Sequence, residues 1–135
     1  MNDWYTDAVK QALEIVPVEW EEAAIESTAL KYRLVKRRLF AVESQYKWSQ
    51  TFGQWRTITF YEAQALIDKA FREWLDEKTA DALAWGFYEG LWAVWSSRFG
   101  ESTFLAQDEP TYTELLAKAV LELDKRERNY GSVDK

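Results

Sequence analysis

The sequence predicts an all-α fold, a bundle of about five helices, on three observations. Apolar residues recur at three- and four-residue steps over much of the chain. Residues 18–52 contain no Gly, Pro, Asn or Asp, the residues on which the turns of a sheet usually rely. Of the 135 residues 47% are hydrophobic, with five Gly and two Pro, so there is ample apolar material for a packed core. A single helical domain is expected over residues 1–128, with 129–135 as a flexible tail.

The first helix is expected over residues 3–16. Trp4, Ala8, Ala12 and Ile15, with Val9, Leu13 and Val16 beside them, keep helical spacing until Pro17 interrupts it. A long second helix follows, about residues 18–48. Val18, Ile25, Tyr32, Leu39 and Tyr46 step by seven with Val35 and Val42 between them, which makes a seam suited to packing on another helix. Strands are the competing reading for residues 28–61, which are rich in Thr, Val, Tyr, Phe and Trp. That reading is strongest near residues 54–60, where Thr57 and Thr59 alternate with Ile58 and Phe60, so a short extended or β element is left open there.

Thr59 and Glu62 have the spacing of a capping box and start the third helix, whose apolar face is Phe60, Ala63, Ile67, Phe71 and Trp74. A fourth helix is expected to carry Leu83, Trp85, Phe87, Tyr88, Leu91, Trp92, Val94 and Trp95 nearly all round its axis, the pattern of a central helix. Pro110, Thr111 and Glu114 open a fifth, with Leu115, Leu116, Ala119, Val120 and Leu123 inward.

The net charge is −6, but its distribution is uneven. Residues 1–27 hold seven acids against Lys10 alone, and residues 28–60 hold seven bases against Glu43 alone. The overall sign argues against direct nucleic-acid binding. The basic block, Lys31, Arg33, Lys36, Arg37 and Arg38, suits an acidic protein surface or phosphates, or else the acidic segment of the same or a neighbouring chain. No Cys or His is present, which removes thiol nucleophiles, thiolate metal sites, the commonest metal ligand and the usual general base. No catalytic residue, metal or cofactor is expected. The N-terminus lacks a basic region followed by an apolar run, and the most apolar stretch, 82–95, falls short of the roughly 20 residues a spanning helix needs. A cytoplasmic protein without membrane association is expected.

Eight tryptophans point to binding, because Trp is costly to expose and common at interface hot spots. Trp4, Trp20, Trp48 and Trp55 lie outside the expected central helix and, with Tyr32 and Tyr46 of the seam, are the candidate contact residues. Glu89, inside the least polar stretch, is a candidate buried carboxylate, to be paired with Arg72 or Arg98 or carried to the surface. A helix over residues 18–48 is about 45 Å long. A domain of this size is about 37 Å across, so such a helix protrudes, and its exposed seam favours a second chain.

The expected function is therefore non-enzymatic protein binding, as a subunit or adaptor of a homo-oligomeric assembly, a virion component included. One alternative is a small acidic inhibitor that occupies the basic nucleic-acid-binding surface of a larger protein. A third reading is a magnesium-dependent all-α nucleotide pyrophosphohydrolase. Glu19, Glu22 and Glu26 share a face if helical, Glu73 and Asp76 offer a further turn, and the pattern resembles that of MazG-like enzymes. In that family an EExxE helix is followed closely by an ExxD helix, whereas 46 residues separate Glu26 from Glu73 here.

Overall fold

The computed structural model describes residues 4–26, 31–42, 46–51, 54–80, 83–96 and 103–133, and its fold is mixed α/β. Its described elements run α1 (Asp7–Ile15), β1 (Glu19–Glu26), β2 (Lys31–Val42), β3 (Tyr46–Thr51), β4 (Gln54–Thr59), α2 (Phe60–Thr79), β5 (Leu83–Tyr88), β6 (Leu91–Ser96), β7 (Thr103–Glu109) and α3 (Tyr112–Val133). They belong to two compact units, residues 17–66 and residues 1–16 with 67–135.

The unit of residues 17–66 is an antiparallel meander in the order β1-β2-β3-β4, followed by the start of α2. Side chains alternate between its two faces as the pleat requires. Val35, Ile58 and the half-buried Trp20, Glu22 and Arg37 lie on one face. Glu19, Glu21, Ala23, Leu34, Lys36, Arg38, Phe40, Trp55 and Thr57 are exposed on the other. At the end of β4 the Thr59 hydroxyl accepts the Glu62 amide at 3.1 Å and donates to the Glu62 carboxylate at 3.3 Å, so the expected cap is present and α2 begins there.

The other unit holds α1, the larger part of α2, the antiparallel sheet β5-β6-β7 and α3. α3 packs on α1 and on β6 and β7. Leu115, Leu116, Ala119, Val120 and Leu123 of α3 are fully buried, as are Val9 and Ala12 of α1, Ile67, Phe71 and Leu75 of α2, and Val94 of β6. The Thr6 hydroxyl caps α1 at the Val9 amide, and the Thr111 hydroxyl accepts the Glu114 amide at 3.2 Å. Buried Glu109, ending β7, accepts from Lys118 Nζ of α3 at 2.7 Å. That contact and Glu114 hold the Lys118 amine above its usual range, the hydrogen bond to Glu109 favouring the charged form more than burial opposes it.

This architecture overturns the expectation of an all-α helical bundle of about five helices. The long second helix is three strands, β1, β2 and the start of β3. The segments joining them, 27–30 and 43–45, contain no Gly, Pro, Asn or Asp, so the missing turn residues did not mean a missing sheet. The seven-residue seam was no seam. From Ile25 on, its members are spread over β1, β2 and β3, and Ile25 and Tyr32 are register partners across a ladder rather than steps along one helix. With no helix over residues 18–48, no helical seam protrudes to call for a second chain. The expected fourth helix is the hairpin β5–β6, whose apolar residues are distributed all round because both faces of the sheet are apolar. Residues 54–60, the place left open for an extended element, hold β4 and the first residue of α2. The C-terminal segment is helical through Val133, and 134–135 lie outside the described residues.

Candidate functional site

The basic block falls on β2, and strand geometry splits it. Arg33 and Arg37 share one face, while Lys36 and Arg38 share the other with Leu34 and Phe40. The side chains of Lys31, Tyr32, Tyr46 and Trp48 lie outside the described residues, although their backbones take part in the strands.

On the partly buried face, Arg37 Nε donates to Glu22 Oε1 of β1, and Arg56 Nε of β4 reaches the same oxygen at 3.3 Å. Arg56 Nη1 also lies 3.7 Å from Glu62 Oε2. The Arg37 side chain is 12% exposed, and its Nη1 is buried with no hydrogen-bond partner among the described residues. Pairing between the acidic and basic blocks of one chain, one of the roles open to the basic block, is thus realised at Arg37. It is a bond that holds β1, β2 and β4 together.

The open face of the same sheet is different. Leu34, Phe40 and Trp55 are 71%, 55% and 52% exposed. The Phe40 and Trp55 rings meet edge to face at 5.8 Å, and the Arg38 guanidinium sits 5.6 Å from the Phe40 centroid. Beside them run Glu19, Glu21 and Ala23 of β1, in register with Arg38, Lys36 and Leu34. Among the described residues, Glu19, Glu21 and Lys36 close no ion pair. This face is therefore a strip of acids, a strip of bases and large apolar side chains, all open to solvent.

The three-stranded sheet has an open face of another kind. Ala84, Gly86 and Tyr88 of β5, Leu91, Ala93 and Trp95 of β6, and Phe104 of β7 share it by register, and none is charged. A Cβ at Gly86 would lie 3.2 Å from Trp95 Cζ3, so glycine lets the indole lie across the strand. On the opposite face, Arg72 of α2 stacks 4.2 Å from the centroid of Trp85, donates to Tyr112 Oη at 2.9 Å and pairs with Asp76 at 3.2 Å. Trp92 packs on Tyr112 at 5.1 Å and on Phe87 at 4.6 Å.

Glu89 is exposed, and it is not in a helix. With φ +53° at Glu89 and +80° at Gly90, the two residues form the tight turn of the β5–β6 hairpin. Arg72 is committed to Asp76 and Tyr112, and Arg98 lies outside the described residues. Nothing lies within 4 Å of a Cβ built at Gly90, so Gly90→Ala carries only a backbone penalty. A lowered melting temperature equivalent to about 1 kcal/mol is expected, and an unchanged melt would refute the left-handed turn.

Among the aromatic candidates, Trp4 is 8% exposed and packs edge to face on Tyr5, Trp20 is half-buried, and Trp55 stands on the open face. Sequence reasoning missed Leu34, Phe40, Tyr88, Leu91 and Phe104 as surface residues, because their exposure follows from strand alternation. Of the carboxylates of the magnesium reading, Glu19, Glu22 and Glu26 fall on strand β1 rather than on a helix face, and the Glu26 side chain lies outside the described residues. Glu19 and Glu22 point to opposite faces of β1, and among the described residues no three acids gather as a metal site. Among the described residues no helix is long and apolar enough to cross a membrane. In comparison with known proteins the chain matches no family model, no curated protein and no solved structure.

Proposed function

We propose that the protein acts by binding protein, as a self-associating subunit of a homo-oligomeric assembly. The observation that carries this reading is the open face of the four-stranded sheet, where Leu34, Phe40 and Trp55 stand exposed beside Glu19, Glu21 and Lys36, charges that close no ion pair among the described residues. A lone exposed apolar side chain is ordinary surface. Large apolar residues gathered on a sheet face and rimmed by charge are the composition of an interface, with the aromatic groups supplying affinity and the charges orientation. Cys and His are absent from the sequence, so thiol nucleophiles, thiolate metal sites, the usual general base and the commonest metal ligand have no side chain to supply them.

The test is absolute mass by light scattering after size exclusion, at about 0.05 M and about 0.5 M salt, a range that shortens the Debye length several-fold. A multimer at low salt that loosens at high salt is expected. A monomer at both salts, up to about 0.1 mM protein, refutes self-association.

A further inference from the structure

We propose that two copies of the chain pair face to face through β1 and β2, about a two-fold axis that runs along the strands midway between them. The inference rests on the self-association proposed above and specifies the part of that face that meets the second copy, namely the charges and Leu34 of β1 and β2, with Trp55 of β4 outside the overlap. The β1–β2 register makes the open face complementary to itself. Glu19 faces Arg38 across the β1–β2 ladder, Glu21 faces Lys36, and Ala23 faces Leu34, all on the open face. A half-turn about the stated axis lays β1 of each copy over β2 of the other while keeping height along the strand. Glu19 then lies over Arg38 of the second copy, Glu21 over Lys36 and Ala23 over Leu34. Acid meets base twice, and the exposed leucine meets the smallest side chain of the row. An isologous interface needs this property, a patch complementary to itself.

Other two-fold packings of the same face lack it. An axis across the strands sets β1 over β1, acid over acid, and like charges held opposite one another are repelled. Growth of the sheet by pairing β1 with β1 edge to edge also brings two acid-rich strands together, and charged residues on an edge strand are a known guard against such pairing. The favoured overlap is two strands wide and about seven residues long, roughly 10 Å by 24 Å. This is small beside the roughly 800 Å² per partner of a standard interface. The pair should therefore be weak, in fast exchange, and sensitive to salt.

The test exploits the symmetry. The K36E/R38E variant makes all four charges negative, and E19K/E21K makes them all positive. Each variant alone should dimerise at least ten-fold more weakly than the natural chain at about 0.05 M salt. Mixed in equal amounts they should form a one-to-one dimer, because every contact is again acid on base. Folding is checked by circular dichroism, and the mixture is its own control, since an unfolded chain restores nothing. If a reversed variant fails to fold, the neutral K36Q/R38Q takes its place, with a weaker dimer whose salt dependence is lost as the expected result and an unchanged dimer as the refuting one. Reversed variants that still dimerise, or a mixture of folded variants that stays monomeric, overturn this surface while leaving self-association standing. A monomeric natural chain overturns self-association itself.

Discussion

Urea denaturation of Glu22→Ala at neutral pH should show a loss of about 3 kcal/mol, the largest effect of any single exposed or half-exposed charge in the unit of residues 17–66. Glu22 Oε1 is shared by Arg37 and Arg56, two strands apart in the sheet. Arg37 is the more sensitive of the two. Its side chain is 12% exposed, its Nη1 already lacks a partner among the described residues, and a guanidinium cannot escape its charge by losing a proton. Breaking a fully buried pair costs about 3–5 kcal/mol, and the 38% exposure of Arg56 places this one at the lower end. Glu22→Gln keeps an acceptor oxygen and should lose less, about 1–2 kcal/mol. Glu21→Ala, one residue away on the open face, should change stability by no more than about 0.5 kcal/mol. Equal losses at positions 21 and 22 would mean that β1 does not alternate as described.

That contrast also shows why the sheet was hard to read in the sequence. The helical reading of residues 18–48 weighed punctuation and apolar spacing, and both are silent about a hairpin whose joining segment uses Ser, Thr, Ala and Leu. The legible signal was the mirror order of charge. Read outward from the middle of 27–30, Glu26 meets Lys31, Glu21 meets Lys36, and Glu19 meets Arg38, the pairs that the ladder brings into register. The acidic and basic blocks were visible, but as neighbours along the chain rather than as partners across it. A similar mirror runs about Glu89 and Gly90, where Tyr88 meets Leu91, Phe87 meets Trp92 and Trp85 meets Val94. An all-round apolar stretch fits a central helix and a two-faced hairpin equally well, and the Gly after Glu89 decides between them only once φ is known. The helices that were read correctly carry local signals that need no distant partner, namely Pro17 after α1, Thr59 with Glu62 before α2, and Thr111 with Glu114 before α3. The open faces depend on register across four strands, and no local signal reports that.

Asp68→Asn should raise stability at pH 7, against the usual direction for a substitution at a half-buried hydrogen-bonded residue. Burial pushes the Asp68 carboxyl up to about 6, and the hydrogen bond with the buried Thr113 of α3 only partly opposes this. Its Oδ1 is buried with no hydrogen-bond partner among the described residues, so the charged form is held where little solvates it. In the unfolded chain the group titrates near its ordinary 3.8, so between about pH 4 and pH 6 the folded state holds the proton that the unfolded state has lost. Its favourable contribution is complete below about pH 4 and fades as pH rises through 6, and at pH 7 the charged side chain is a burden on the fold. A shift of about two units corresponds to roughly 3 kcal/mol, and discounting for the part of the side chain that meets solvent leaves about 1–2 kcal/mol. Asparagine keeps an acceptor for Thr113 and carries no charge to bury. The variant should therefore gain about 1–2 kcal/mol at pH 7, little or nothing at pH 4, and lose the decline that the natural chain shows between them. Urea midpoints at pH 4, 5, 6 and 7 for both chains measure this directly. A gain independent of pH would assign the effect to packing, and a loss at pH 7 would show that the carboxylate is satisfied in solution.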